Sequence, residues 1–177
     1  MFRRCLLLML AVLMLPATLV AQDESNLKFQ KHQSKEGKYK VEFPGKPITQ
    51  NQKANTELGE ITIVLDVVAI GQNMAFIVSY NDYPEAITNA DPITVLNGVR
   101  DGNKGKDGEI IEDRADVFGP DKIPCKRVYI KKPNDLYMKN LMIMKGTRLY
   151  QVMVVAKKPA IESDAINKYY KSFELTK

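Results

Sequence analysis

Residues 109–156 read EIIEDRADVFGPDKIPCKRVYIKKPNDLYMKNLMIMKGTRLYQVMVVA, and this stretch decides the fold. It contains four runs rich in β-branched and aromatic residues, each of a length typical of strands. Short turn sequences such as Gly119-Pro120-Asp121 and Gly146-Thr147 separate them. Connections this short predict antiparallel neighbours that follow one another as a meander. The predicted strands are Glu109–Phe118, Ile123–Lys131, Leu136–Lys145 and Arg148–Ala156.

The third of these strands has apolar residues on both faces. One face carries Tyr137, Leu141 and Ile143, and the other carries Leu136, Met138, Met142 and Met144. Both faces should therefore be covered rather than exposed to solvent. The segment after Pro159 supplies one cover, because its apolar residues recur at helical spacing. This pattern predicts a docking helix whose apolar stripe is Ile161, Ala165, Ile166, Tyr169, Tyr170 and Phe173.

The residues before position 109 add three strands and a second helix. Tyr39–Phe43 alternates and stops at Pro44, and residues 61–69 and 74–80 flank a turn at Gly71. Asp91-Pro92 is a helix start, with the helix ending between Gly98 and Gly102. Together these elements predict an α+β fold, a curved antiparallel β-sheet of about six to eight strands flanked by helices.

The N-terminus predicts export. Arg3 and Arg4 precede an apolar run that Pro16 interrupts, the order found in a secretory signal peptide. We therefore divide the chain into a signal peptide (1–21), a flexible leader (22–34) and a single α+β domain (35–177), and expect a secreted or periplasmic protein. A retained anchor is the less favoured alternative, since the run is short for a bilayer span. Cys5 precedes the apolar run, which argues against a lipoprotein.

The charge balance argues against nucleic-acid binding. The 177 residues carry a net charge of +5, and loss of Arg3 and Arg4 with the signal peptide lowers it to +3. So small an excess, spread over the mature chain, is not the concentrated basic field that nucleic acid requires. An anionic partner is a minor hypothesis, and we expect no stable membrane span after cleavage.

Few side chains are available for ordinary hydrolytic chemistry. His32 is the single histidine and falls in the predicted leader, which argues against a catalytic triad or a histidine-based zinc site. The acidic residues Glu109, Glu112, Asp113 and Asp116 crowd one strand and suggest an exposed edge rather than a catalytic pair. We accordingly predict no enzyme activity, no cofactor and no metal.

Cys125 is the one cysteine of the mature chain, so no intramolecular disulfide is possible. The domain must therefore be held together by its core. The Cys125 thiol is either packed inside the fold or reactive. Arg127 and Lys131 support the reactive alternative, because their positive charges on the same strand face favour the thiolate.

Three segments carry a resemblance to a family. The opening Ser34–Pro47 ends in Phe-Pro-Gly-Lys-Pro, a strand starts at Gly146–Gln151, and the chain closes with Tyr170–Leu175. In these the chain resembles small secreted bacterial proteins of unknown function, which are similar at fold level to the PsbP-like group. The resemblance implies a curved antiparallel sheet between helices and brings no catalytic residue. Pro124-Cys125 departs from it, standing where a glycine-containing stretch is expected.

These observations favour an exported non-catalytic binding or scaffold domain of the cell envelope, acting on an envelope or extracellular protein. The alternative is a carrier of a small apolar ligand, in a cleft between sheet and helix lined by tyrosines and by methionines such as Met138 and Met153. An enzyme that uses acids or Cys125 is the third class. The candidate surface or groove comprises Cys125, Arg127, Tyr129, Met142 and Tyr150.

Overall fold

A computed structural model describes residues 27–56 and 59–177 of the chain. It has two α-helices, ten strands and two short 3-10 helices at Glu85–Asn89 and Ala160–Glu162. The helices are α1 (Pro92–Lys104) and α2 (Asp164–Ser172). The strands are β1 (Gln30–Ser34), β2 (Tyr39–Phe43), β3 (Ile48–Thr56), β4 (Gly59–Ile70), β5 (Met74–Asp82), β6 (Glu109–Phe118), β7 (Ile123–Lys131), β8 (Leu136–Lys145), β9 (Arg148–Lys157) and β10 (Glu174–Leu175).

The strands form two antiparallel sheets. The large sheet has seven strands in the order β3-β4-β5-β9-β8-β7-β6, and the small sheet has three in the order β1-β2-β10. The predicted β4–β5 hairpin and the β6–β9 meander are both confirmed by the pairing. The predicted α+β class is therefore correct.

Each face of the large sheet is covered, as the two-sided apolar pattern of β8 predicts. On the α2 face, Phe43 of β2 and Ile166 of α2 pack with Val152 and Ile143 of the sheet. On the α1 face, Leu96 and Val99 pack with a second set of sheet residues. The sheet consequently separates two apolar cores, and only the strands at its ends leave side chains exposed on both faces.

Local sequence signals explain where the two helices begin and end. The side chain of Asp91 caps α1 by accepting from the backbone N–H of Thr94 at 2.8 Å, and Pro92 fills the first turn. The helix continues to Lys104, slightly beyond the predicted end. Pro159 opens a short 3-10 turn rather than α2 itself, which starts after Ser163.

The predicted flexible leader is wrong for residues 30–34. These residues form β1, which pairs with β2 from Gln30 opposite Phe43 to Ser34 opposite Tyr39. The strand lacks an apolar alternation, so its sequence alone looked like a loop. The predicted signal peptide and its cleavage site lie outside the described residues. Among the described residues, no helix has the length and apolar character needed to cross a membrane.

Candidate functional site

A groove of about 390 Å³ opens on the α2 face, between α2 and strands β6, β7 and β8. In an antiparallel pair, directly opposite residues lie on the same face of the sheet. The strand register therefore shows which residues lie side by side on the floor of the groove. Glu112, Tyr129 and Lys139 form one row across the three strands, and Arg114, Arg127 and Leu141 form the next. We call this feature the α2 groove. Its lining is Glu112, Arg127, Val128, Tyr129, Lys139, Asn140, Leu141, Asn167, Tyr170 and Lys171.

The helix supplies one wall of the α2 groove. Ile166 and Tyr169 point into the core and anchor α2, which turns Asn167 and Lys171 outward. Tyr170 lies between them and its hydroxyl donates to the backbone carbonyl of Lys139 at 2.5 Å. This hydrogen bond ties the wall to β8 beneath it and fixes the width of the groove.

The row of Tyr129 and Lys139 closes one end of the groove. Glu162, in the 3-10 turn before α2, accepts from the Tyr129 hydroxyl at 2.7 Å and from the Lys139 ammonium at 2.6 Å. The ammonium also lies 5.0 Å from the centre of the Tyr129 ring. Both hydrogen bonds hold the pKa of the Glu162 carboxyl below its ordinary value, that from Lys139 most strongly. The charge of Lys139 is therefore already neutralised.

In the row of Arg127, positively charged side chains outnumber the carboxylates in contact with them. Arg127 lies directly opposite Arg114 on β6, and the carboxylate of Asp116 is the only acid in contact with either arginine among the described residues. Asp116 is 3.3 Å from Arg114 and 3.8 Å from Arg127. One carboxylate thus serves two guanidinium groups, each of them at least partly exposed.

The structure brings together two of the five predicted site residues. Arg127 and Tyr129 line the α2 groove. Cys125 and Tyr150 lie on the same face but are buried in the core, and Met142 lies on the opposite face against α1. The predicted surface is therefore wrong for Cys125, Met142 and Tyr150, since packing between layers encloses all three.

The two cysteine hypotheses are separated by burial. Cys125 has no exposed surface, and that desolvation raises the pKa of its thiol, with the negative charge of Asp116 acting in the same direction. Arg127 and Arg114 oppose the shift without reversing it. Cys125 accordingly behaves as a packed apolar side chain, which is the structural alternative given above.

The methionines are also packed. Met138, Met142, Met144 and Met153 are each at most 4% exposed and pack on the α1 face. None lines the α2 groove. The methionine part of the predicted methionine- and tyrosine-lined cleft is therefore wrong.

A polar cluster that the sequence did not reveal joins the two sheets. Asp66 of β4 is 3% exposed and accepts hydrogen bonds from three side chains on three different strands. His32 of β1 contacts one carboxylate oxygen through Nε2 at 3.0 Å, the hydroxyl of Tyr39 of β2 donates to the same oxygen, and Thr49 of β3 donates to the other at 2.5 Å. The apolar neighbours of Asp66 were the one signal that its carboxylate is buried and needs partners.

The α2 groove carries groups that can form hydrogen bonds, ion pairs and ring contacts with a ligand. It presents guanidinium, ammonium and amide donors and two aromatic rings on rigid elements, and its carboxylates are held by cations or lie exposed. Within residues 27–56 and 59–177, no three histidine, cysteine, aspartate or glutamate side chains converge so as to hold a metal ion.

Comparisons with known proteins extend only to the fold. No protein-family model matches the chain, and no curated protein sequence matches it. By structure, it is similar to the cyanobacterial PsbP protein CyanoP of Synechocystis sp. PCC 6803, known from its solution structure. The TM-score is 0.58 at 13% sequence identity, over 85% of this chain and 94% of that one. The chain thus has a PsbP-like α+β fold.

Proposed function

We propose that this protein is an exported, non-catalytic binding domain of the cell envelope, and that the α2 groove is the surface with which it holds its partner. The observation that carries the proposal is the groove itself, a concave site between a sheet floor and a helix wall. Polar groups in a preformed depression fix the orientation of a ligand. Tyrosine and arginine, which line this one, are the residues that dominate binding at interfaces.

Export is the second component of the proposal, and it is supported by the sequence of residues 1–21. A basic start, an apolar run and a break before polar residues match a secretory signal. The single cysteine of the mature chain is buried, so the domain holds together without a disulfide in an oxidising compartment.

Site-specific photo-crosslinking tests the groove as the binding surface. A photoreactive residue replaces exposed Asn167 on the groove wall in cells that naturally make the protein. In a control it replaces Gln50, which does not line the groove and lies on β3, at the opposite edge of the large sheet from β6. We expect a discrete crosslinked product in the envelope fraction from position 167 and none from position 50. Equal products from both positions, or none from any groove position, would contradict the proposal.

The non-catalytic part of the proposal has its own test. Turnover of a substrate by purified protein, lost on changing Glu112 or Asp116, would place the chain among enzymes instead. The supporting observation is that Glu112 and Asp116 are exposed, whereas a catalytic acid pair normally has one member buried.

The apolar carrier is the weaker alternative. In its favour, the rings of Tyr129 and Tyr170 and the side of Leu141 give the α2 groove an apolar part. The methionines that suggested it are enclosed on the other face. Native mass spectrometry of protein purified from its own envelope distinguishes the two, since a carrier retains a small apolar molecule and a partner-binding domain does not.

A further inference from the structure

Two arginines directly opposite each other in a sheet are an unfavourable arrangement. Arg114 and Arg127 are cross-strand partners on the α2 face. Like charges in this position repel each other and destabilise the strand pair. The Asp116 carboxylate relieves only part of this repulsion, because it lies 3.8 Å from the Arg127 Nε atom and is itself shared. The pair therefore has a deficit of negative charge.

The helix wall adds a third cation to the same region. Lys171 is exposed on α2, lines the groove with Arg127, and forms no ion pair with any described residue. Lys139 adds no unneutralised charge, since its ammonium lies 2.6 Å from a carboxylate oxygen of Glu162. Three cations thus border the part of the groove around Arg127, with Asp116 as the one carboxylate in contact with them.

Glu112 sets a limit on the charge that the groove accepts. It lies on the α2 face opposite Tyr129, one row away from the arginine pair. A carboxylate in that row would be repelled by Glu112, whereas one in the row of Arg127 would be attracted. The groove therefore favours a short acidic cluster in one place over a long acidic run.

We propose that the α2 groove binds a segment of a partner polypeptide that carries a short acidic cluster, with a carboxylate held between Arg127 and Lys171 and close to Arg114. This inference rests on the proposed function and names its ligand. The occupant is a polypeptide rather than a membrane, because the cations border a concave groove that a flat bilayer surface cannot enter. Arginine's planar fork suits a carboxylate by forming two parallel hydrogen bonds.

A nuclear magnetic resonance titration tests the ligand class directly. The probe is a Gly-Ser peptide with two adjacent aspartates at its centre, and the control peptide has asparagines in their place. We expect saturable shifts of backbone amides at residues 127–129 and 167–171 with the aspartate peptide alone. Shifts that are identical for both peptides, or absent from these residues, would overturn the inference.

A charge-matched pair of variants separates the site from general attraction. R114Q/R127Q removes the cation that lines the groove and the cation directly opposite it on β6, and K35Q/K46Q removes two from exposed positions elsewhere. Losing charge-assisted hydrogen bonds should weaken peptide binding about tenfold in the first variant. The control should stay within about twofold of the unmodified protein. An equal loss in both variants would show that net charge alone attracts the peptide.

Two further readouts make a failure informative. Vesicles of phosphatidylglycerol should bind no better to the unmodified protein than to R114Q/R127Q, and a preference for the unmodified protein would indicate a membrane ligand. If crosslinking at Asn167 persists at full yield in R114Q/R127Q, the groove is still the binding surface and only the acidic ligand is wrong.

The strand pair itself provides a test without any ligand. If the arginines are kept opposite each other for binding, Arg114→Gln should relieve their repulsion and raise the urea midpoint of unfolding. A lowered midpoint would show that Arg114 stabilises the sheet and that the deficit of negative charge is not real.

Discussion

At the scale of single residues, Asp66 is the side chain on which both sheets depend. Its carboxylate accepts from His32, Tyr39 and Thr49, so it links β1 and β2 of the small sheet to β4 and adds a side-chain contact between the paired strands β3 and β4. A buried acceptor of this kind is costly to remove, because its donors are left without a partner.

We predict that Asp66→Asn lowers the free energy of unfolding by about 2–4 kcal/mol, since the amide presents donors to groups that themselves donate. Urea denaturation followed by circular dichroism measures the change. Glu60→Gln on the exposed part of the same strand is the control and should have little effect. A loss no larger than that of the control would show that the cluster contributes nothing to stability.

Tyr169 and Tyr170 are adjacent in α2, and we expect removal of their hydroxyls to change the free energy of unfolding in opposite directions. The Tyr169 hydroxyl is buried and has no hydrogen-bond partner among the described residues, whereas that of Tyr170 donates to the Lys139 carbonyl. Tyr169→Phe should therefore raise the free energy of unfolding by up to about 1 kcal/mol, and Tyr170→Phe should lower it by about 1–2 kcal/mol. Thermal and urea unfolding of both variants measure the difference, and a stability change of the same sign in both contradicts it.

At the scale of elements, a clamp holds the ends of β5 and β9 to the turn between β1 and β2. Arg148 donates to both carboxylate oxygens of Asp82, at 2.7 and 2.6 Å, and to the backbone carbonyl of Glu36 at 2.7 Å. Its guanidinium also lies over the Tyr80 ring. The hydrogen bond from Arg148 lowers the pKa of the Asp82 carboxyl below its ordinary 3.8.

This clamp predicts a defined acid sensitivity. A carboxyl with a lowered pKa in the folded state stabilises the fold above its ordinary value and loses that contribution as the pH falls through the folded value. The stability difference between the unmodified protein and Asp82→Asn should be constant from neutral pH to about pH 5, begin to fall near 3.8, and vanish once the pH is below the lowered pKa of the folded state. Urea midpoints measured across this range test it. A difference that persists at the lowest pH would mean that the asparagine disturbs packing rather than charge.

Strands with a hydrophobic pattern could be predicted from sequence, and strands without one could not. The boundaries of β6, β7 and β8 coincide with the predicted ones because turn residues bracket alternating or apolar runs. β3, with the sequence ITQNQKANT, and β1, with QKHQS, have almost no apolar residues and are strands only because β4 and β2 pair with them. Local propensity carries no record of such tertiary pairing.

The site was predictable to the extent that alternation alone determines it. Alternation places Arg127 and Tyr129 on one strand face, and both line the groove. It could not tell which face of β8 joins them, and the register shows that Met142 lies opposite Lys126, on the other side. Glu162 of the 3-10 turn and Lys171 of α2 are distant in sequence from these strands, so only the docking of this C-terminal segment on the sheet reveals them.

At the scale of the whole molecule, the two edges of the large sheet differ in how they resist association. Among the described strands, β6 and β3 have one unpaired side each. β6 carries five charged residues and a bulge near Ile110, the features that commonly block edge-to-edge pairing. β3 pairs in an unbroken register and carries a single charge, Lys53.

We therefore predict that Lys53 prevents two molecules from pairing through their β3 edges. Lys53→Ile should produce concentration-dependent larger species in sedimentation velocity, because a flat edge without charge is a template for another strand. Lys157→Ile adds the same side chain to β9, which has partner strands on both sides. The sedimentation of this control variant should match that of the unmodified protein. Equal association of both variants would attribute the effect to added hydrophobicity instead of the edge.

The small sheet has a consequence for how the chain is made. Its middle strand, β2, is flanked by β1 from the same end of the chain and by β10 from the opposite end, and the Thr176 N–H reaches the Lys38 carbonyl at 2.8 Å. On the ribosome, β2 emerges early while its second neighbour is still in the exit tunnel. One flank of β2 and the aromatic rings beneath it stay uncovered in the nascent polypeptide, and a prematurely terminated product leaves this unpaired edge open to association with another chain.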